Sequence, residues 1–188
     1  MISIPSLWLP ILLGGVLAFL TSSVIHMVLK YHRNDFRQLP DEEAVRNALG
    51  PLKIRPGDYA IPYGGGPEAM KSEEFQAKMK AGPVAFFTVL PPDVMTKMGS
   101  QLTQWFLYML AVGVVAAYVA GRTLPAGADY LAVFRLTGTV AFACYAMAVP
   151  QRSIWYSQSW STTLKSMFDG LVYALLTAGV FGWLWPAA

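Results

Sequence analysis

Cysteine and charged residues are scarce in this sequence. Cys144 is the single cysteine, so thiolates of this chain alone cannot build a disulfide, a zinc cluster or an iron–sulfur site. Only 13% of the residues are charged and 55% are hydrophobic, which is more apolar than a water-soluble domain usually is. The surplus of apolar surface predicts an integral membrane protein.

Motifs for catalysis and metal binding are also lacking. The two histidines, His26 and His32, are six positions apart, with no HExxH, no CxxC and no carboxylate-rich helix pair. We interpret His26 as a hydrogen-bonding residue at a membrane interface, and a porphyrin-type iron or magnesium ligand is the alternative. Gly64-Gly65-Gly66 lacks the Gly-Lys-Ser/Thr ending of a phosphate-binding loop. We therefore predict no catalytic residue, no metal site, no cofactor and no nucleic-acid partner.

Four apolar stretches are long enough to cross about 30 Å of hydrocarbon, which takes roughly 20 helical residues. The first has no Lys or Arg before it and is longer than the core of a signal peptide, so we interpret it as a retained anchor. The expected fold class is a mainly α membrane protein with four transmembrane helices. The spans are predicted near residues 7–29, 102–120, 130–149 and 167–185.

The spans divide the chain into three parts. Residues 1–29 form an N-terminal transmembrane anchor, 30–100 a small cytoplasmic α+β segment between helices 1 and 2, and 101–188 a three-helix bundle. Within the bundle, residues 150–166 are expected to be a cytoplasmic interfacial loop, because polar residues and aromatics alternate there.

The segment 30–100 has its own pattern of structural signals. Pro40 and the acidic run after it predict a helix that ends at Gly50, and a second helix is predicted from about Pro67 to Ala81. The β-branched and aromatic run 84–90 predicts a strand. Because so small a unit buries little apolar surface alone, we expect it to pack against the bilayer, the bundle or a partner.

Positive charge is distributed unevenly about the spans. Twelve of the fourteen Lys and Arg residues lie in 30–100 or 150–166. The positive-inside rule then places both segments in the cytoplasm and both termini outside, in a bacterial inner membrane.

Small residues recur every four positions on two spans and predict smooth ridges for helix packing. Tryptophans gather at the predicted interfaces, where they anchor a helix at a fixed depth. The ridge residues are Gly113, Ala117 and Gly121 on the second span, and Gly170, Ala174, Ala178 and Gly182 on the fourth. The predicted anchors are Trp8, Trp105, Trp155, Trp160, Trp183 and Trp185.

Charges within or beside the spans have alternative interpretations. Arg135 is an intramembrane charge that either snorkels to the interface, about 8 Å away by helical rise, or pairs with a lipid headgroup or another subunit. Lys165 and Asp169 are four residues apart at the mouth of the fourth span, which predicts a local ion pair.

Several runs resemble a family of uncharacterised bacterial integral membrane proteins of about this length. The resemblance covers most of the chain and implies the four-helix architecture and a bacterial inner membrane, but it implies no activity. It rests on Tyr31-His32-Arg33-Asn34-Asp35, Leu39-Pro40-Asp41-Glu42, Gly82-Pro83-Val84-Ala85-Phe86, Leu164-Lys165, Asp169-Gly170-Leu171 and Phe181-Gly182-Trp183-Leu184-Trp185-Pro186.

The functional hypothesis at this stage is a non-catalytic accessory subunit of a larger membrane complex, of the photosynthetic reaction-centre–antenna type or the respiratory type. Its partners would be membrane lipids and other integral membrane subunits, and pigment or lipid contacts at subunit interfaces stay open. A small homo-oligomeric transporter or channel is the first alternative, disfavoured because no Asp or Glu is expected deep within a span. A lipid-acting enzyme that uses the polar loop 151–163 is the second.

Overall fold

A computed structural model describes all residues, 1–188, and contains four helices long and apolar enough to cross a membrane. The protein is therefore a multi-pass, mainly α membrane protein. A 3-10 turn, Ile4–Leu7, leads into the first long helix. The four long helices are α1 (Trp8–Met27), α5 (Gly99–Thr123), α6 (Tyr130–Ala146) and α8 (Trp160–Trp183).

The long helices form one bundle in which α8 packs against α1 and α6, and α5 packs against the same two helices. Two apolar clusters fill its interior. One contains Leu7, Val133 and Phe181, all fully buried. The other contains Met109 and Tyr173. Together the clusters pack the inner faces of all four helices.

Backbone hydrogen bonds join residues near both ends of the chain to the last turn of α5 and to the loop that follows it. The Ile2 N–H donates to the Gly121 carbonyl at 2.8 Å, and the Gly127 N–H donates to the Pro186 carbonyl at 2.8 Å. Residues 1–6 and 184–188 therefore lie at the same end of the bundle. The opposite end carries the segments 28–37 and 150–159 that follow α1 and α6.

The prediction of a loop at residues 150–166 is wrong, because most of these residues are helical. A short helix, α7, spans Pro150–Tyr156, and after a left-handed residue at Ser157 the helix α8 begins at Trp160. The fourth span predicted at 167–185 thus starts too late. Hydropathy detects only apolar residues, whereas a helix can include polar residues whose side chains are hydrogen-bonded. Ser153 of α7 and Thr163 of α8, for example, share a buried hydrogen bond of 2.6 Å.

The residues Gln38–Met98 form a separate compact unit, which we call the inserted unit. Its sheet has two antiparallel strands, β1 (Gly57–Ile61) and β2 (Ala85–Val89), close to the strand predicted at 84–90. Its helices are α2 (Glu42–Leu49), α3 (Pro67–Lys71) and α4 (Glu73–Ala81), with a 3-10 turn at Gly50–Leu52.

Side-chain caps set the helix boundaries of the inserted unit. Asp41 accepts a hydrogen bond from the Ala44 N–H and begins α2, as the acidic run predicts. The single helix predicted over 67–81 is interrupted, because Ser72 is extended and its hydroxyl accepts from the Phe75 N–H to begin α4. A serine that can cap a new helix competes with helix continuation.

The inserted unit has no core. None of its residues is buried, and even the residues between its sheet and helices keep partial contact with solvent. Six of its large apolar side chains are more than half exposed: Leu52, Tyr63, Val84, Phe86, Met95 and Met98.

Candidate functional site

A cluster of polar side chains lies where the end of α1 meets the first half of α8. Two consecutive turns, closed by Arg33 N–H to the Lys30 carbonyl and Asp35 N–H to the His32 carbonyl, fold the chain back after α1. This fold-back brings residues about 135 positions apart in sequence into contact. We define the polar cluster as His26, Tyr31, His32, Asp35, Lys165 and Asp169.

Asp169 is the most deeply buried member, with 5% of its side chain exposed. One carboxylate oxygen accepts a hydrogen bond from the Tyr31 hydroxyl, and the other lies 2.8 Å from Nε2 of His32. A carboxylate costs free energy when it is removed from water unless such partners are supplied. The segment after α1 supplies both partners, so it is held against α8.

Asp35 is the second buried carboxylate and connects the cluster to a cation. Its two oxygens lie 2.7 Å from the Lys165 ammonium and 2.6 Å from Nδ1 of His32. Burial disfavours the charged form of Asp35, but the hydrogen bonds from Lys165 and His32 outweigh it and hold the pKa of Asp35 below its ordinary value. Asp35 is therefore ionised at neutral pH and needs both partners.

Tyr31 acts as a neutral donor in the cluster. Burial, together with the hydrogen bond to Asp169, raises the pKa of Tyr31 well above its ordinary value. The phenol consequently keeps its proton and continues to donate it to Asp169.

The histidine tautomers follow from the hydrogen-bond partners. Nδ1 of His26 lies 3.0 Å from the carbonyl of Ser22, which can only accept, so Nδ1 carries the proton and Nε2 carries the lone pair. Nδ1 of His32 donates to the Asp35 carboxylate. The two rings lie nearly parallel, with centroids 4.8 Å apart. Nε2 of His32 faces the buried Asp169 carboxylate.

Three of these side chains are of types that bind metal ions. The ligating atoms of His26, His32 and Asp169 all lie within 4.8 Å of one another. No sequence motif marks this group, because the three residues come from α1, the turn after it and α8. His26 is exposed, so water reaches this corner of the cluster.

A belt of aromatic and hydroxyl side chains continues from the cluster into the bundle. Trp105 donates its indole N–H to the Ser22 hydroxyl at 2.9 Å and lies edge-on to Tyr173. Tyr173 stands one helical turn after Asp169, and its buried hydroxyl faces Ser22 without forming a hydrogen bond of good geometry. The hydroxyl of Tyr145 faces Thr177 in the same way.

The local ion pair predicted between Lys165 and Asp169 is wrong. Lys165 instead pairs with Asp35, and Asp169 is bound by Tyr31 and His32. Asp169 is also buried within the fourth candidate span, although the sequence analysis expected no acid deep in a span. The spacing rule considers partners on one helix only, and here the chain after α1 offers better ones.

The predicted ridge residues lie between helices of this chain. Of the seven, all but Gly182 are buried, and Gly182 is half-buried. An added Cβ would lie 3.3 Å from Ile11 at Gly113 and 3.1 Å from Ala146 at Gly170. At Gly182 it would lie 2.7 Å from the Tyr130 ring. The ridges therefore bring α5 close to α1, and α8 close to α6.

The predicted tryptophan anchors fall into two groups. Trp8, Trp155, Trp160 and Trp183 are exposed on the bundle surface. Trp105 is instead half-buried with its N–H bonded to Ser22, and the N–H of Trp185 donates to the Pro125 carbonyl at 2.9 Å. Those two indoles join elements of the bundle to each other.

Arg135 lies apart from the polar cluster. It is exposed on α6, one and a half turns from the start of that helix at Tyr130, and it forms no ion pair within the chain. Its position suits a side chain that reaches along the helix towards the interface.

Comparison with known proteins gives no relative for this chain: no family model, no curated protein and no solved structure matches it. Its function has to be argued from its own residues.

Proposed function

We propose that the protein is a non-catalytic accessory subunit of a larger membrane complex and that it docks to its host through the inserted unit. The observation that carries this proposal is the absence of any buried residue between Gln38 and Met98. A stable unit normally hides part of its apolar surface, and a two-stranded sheet is marginal without something packed on it. The missing burial is supplied, in this proposal, by another subunit.

The charge of the inserted unit favours a protein partner over the lipid surface. The unit contains seven Lys and Arg residues and eight Asp and Glu residues. Anionic headgroups attract segments with clustered, uncompensated basic residues, and this unit has no such excess. Leu52, Tyr63 and Val84, each more than half exposed, have the apolar character of an interface core.

The orientation belongs to the same proposal. Lys30, Arg33 and Arg37 follow α1 directly, and Arg152 and Lys165 lie near the same end of the bundle. Under the positive-inside rule this end faces the cytoplasm of a bacterium, and so does the inserted unit. A photosynthetic or a respiratory complex is a suitable host, because both are surrounded by small helical subunits.

Site-specific photo-crosslinking in native membranes tests the proposal. A photoreactive residue at position 52 or 63 should crosslink to one larger membrane protein, and the same residue at Leu17, on the exposed face of α1, serves as the matched control. Purification in mild detergent with an absorption spectrum then identifies pigment or haem in the host.

Recovery of the chain as a lone homo-oligomer, with crosslinks only to itself, would contradict the accessory role and favour a small transporter or channel. A lipid-converting activity lost on substitution within 151–163 would favour the enzyme alternative.

A further inference from the structure

We infer that His26, His32 and Asp169 bind one divalent first-row transition-metal ion, such as zinc or ferrous iron. The inference does not depend on the accessory role, because the three ligands belong to α1, the turn after it and α8, all within the helical bundle.

The distances suit one shared ion. Ligand atoms about 2.1 Å from an ion lie roughly 3 Å from one another around it. Nε2 of His32 and the nearer oxygen of Asp169 are already 2.8 Å apart, and the largest separation in the group of three is at most 4.8 Å. Closing that gap takes a movement of up to about 2 Å at His26.

The hydrogen bonds prepare both imidazoles for ligation. Each Nδ1 is occupied by a hydrogen bond, from His26 to the Ser22 carbonyl and from His32 to Asp35, so an ion would bind at Nε2. In His32 that nitrogen contacts Asp169, the third ligand. Metal-binding histidines are commonly oriented in this way by a carbonyl or a carboxylate behind the ring. Tyr31 fixes the far oxygen of Asp169 in the same manner.

The contact between His32 and Asp169 is one in which a metal ion can take the place of a shared proton. With Nδ1 donating to Asp35, Nε2 of His32 meets a second carboxylate oxygen at 2.8 Å. A lone pair facing a carboxylate is repulsive, so either a proton or a metal ion must stand between them. A divalent ion there would also draw in the lone pair of His26.

His26 is the member able to adjust. An imidazole binds an ion in the plane of its own ring, and the two rings are within 10° of parallel, so one of them has to tilt. His26 is exposed and held by a single hydrogen bond, whereas His32 is bonded at both nitrogens. The ion therefore completes its coordination by a rotation of His26.

The ligand set indicates the class of metal. Two imidazoles and one carboxylate favour zinc, iron, cobalt or nickel over magnesium and calcium, which prefer oxygen ligands alone. Three protein ligands leave at least one coordination position that water can occupy.

Cobalt titration of the purified full-length chain tests the inference. The chain has only two histidines, so with a histidine-free affinity tag any imidazole ligation must come from this cluster. We expect one equivalent of Co²⁺ to give a visible absorption band that Zn²⁺ abolishes. His26→Ala should weaken binding by at least about tenfold while the helical circular dichroism stays unchanged. The matched control Asp93→Asn, an exposed carboxylate of the inserted unit, should bind as the wild type does.

Absence of a cobalt band in the wild type, or equal affinity in His26→Ala, would overturn the inference. If His26→Ala disturbs the fold, His26→Gln provides the same comparison with a side chain of similar size. Zinc should also raise the melting temperature of the wild type, since a ligand of the folded state stabilises it, and should not raise that of the His26 variant.

Discussion

Lys165 is the cation whose removal measures how much the polar cluster stabilises the bundle. In Lys165→Met the buried Asp35 carboxylate keeps only its bond to His32. We expect a loss of about 1 to 3 kcal/mol in the free energy of unfolding, because a buried charge that loses a partner is costly. Thermal unfolding in detergent, followed by circular dichroism, measures it.

Lys78→Met is the matched control. Lys78 pairs with Glu74 on the exposed surface of α4, where ion pairs contribute little. The control should melt as the wild type does. Equal melting temperatures for the two variants would show that the ion pair between Lys165 and Asp35 does not stabilise the bundle.

At this scale the sequence showed which residue types are present but not which of them meet. His26 alone indicates only a hydrogen-bonding residue near a membrane interface. The spacing of four residues on one helix predicted that Asp169 pairs with Lys165. The actual partners of Lys165 and Asp169 are 130 or more positions away in the chain. One usable signal was the run Tyr31-His32 through Asp35, where a dense set of polar groups follows directly after a span.

Close approach of helix α5 to the N-terminal segment depends on Gly121. A Cβ at this position would lie 2.8 Å from the Ile2 carbonyl oxygen. A backbone atom cannot relieve such a contact by changing rotamer, as a side chain can. We expect Gly121→Ala to lower the free energy of unfolding by about 1 to 3 kcal/mol through overpacking.

The control for this variant is Gly99→Ala at the start of the same helix. A Cβ there meets nothing within 4 Å. Melting curves of the two proteins in one detergent give the comparison, and a Gly121→Ala protein as stable as the control would contradict the close contact.

Periodicity predicts elements well and their neighbours poorly. The small-residue spacing on α5 and α8 marked the positions that lie at helix contacts, but it could not say that α5 faces α1 or that α8 faces α6. Helix boundaries were predicted least well where the sequence is polar. Hydropathy placed the start of the fourth span near residue 167, although the helix begins at Trp160. Ser72 likewise looked like a tolerated helix residue and is a cap.

For the molecule as a whole, the contrast in burial predicts a contrast in protease sensitivity. Added trypsin should cut the inserted unit while leaving the long helices intact, because a segment without buried side chains opens locally at little cost. Cleavage is expected in inverted membrane vesicles from cells that produce this chain without its host complex, where the cytoplasmic face is accessible and no partner covers the inserted unit. Mass spectrometry of the fragments locates the cuts.

Intact spheroplasts are the control for orientation, and there the inserted unit should be protected. Cutting in spheroplasts alone would reverse the orientation proposed for the chain. Resistance in both preparations would mean that the inserted unit is covered even without its host complex, which would contradict the proposed docking role.

The organisation into four spans and an α+β insertion was predictable, because apolar length and turn signals are local properties of the chain. The absence of a core in the inserted unit was predictable only as a tendency of small units. The polar cluster was not predictable, since it depends on how the bundle closes.

The bonds from Ile2 and Pro186 to the turn between α5 and α6 bear on how such a protein can change in evolution. Extra residues inserted in the turn between α5 and α6 would have to be accommodated among groups that are already hydrogen-bonded to one another. At the opposite end the chain leaves the bundle and returns to it, between α1 and α5. Length can vary there without disturbing the helices, so the insertion point is where a new recognition surface is most easily acquired.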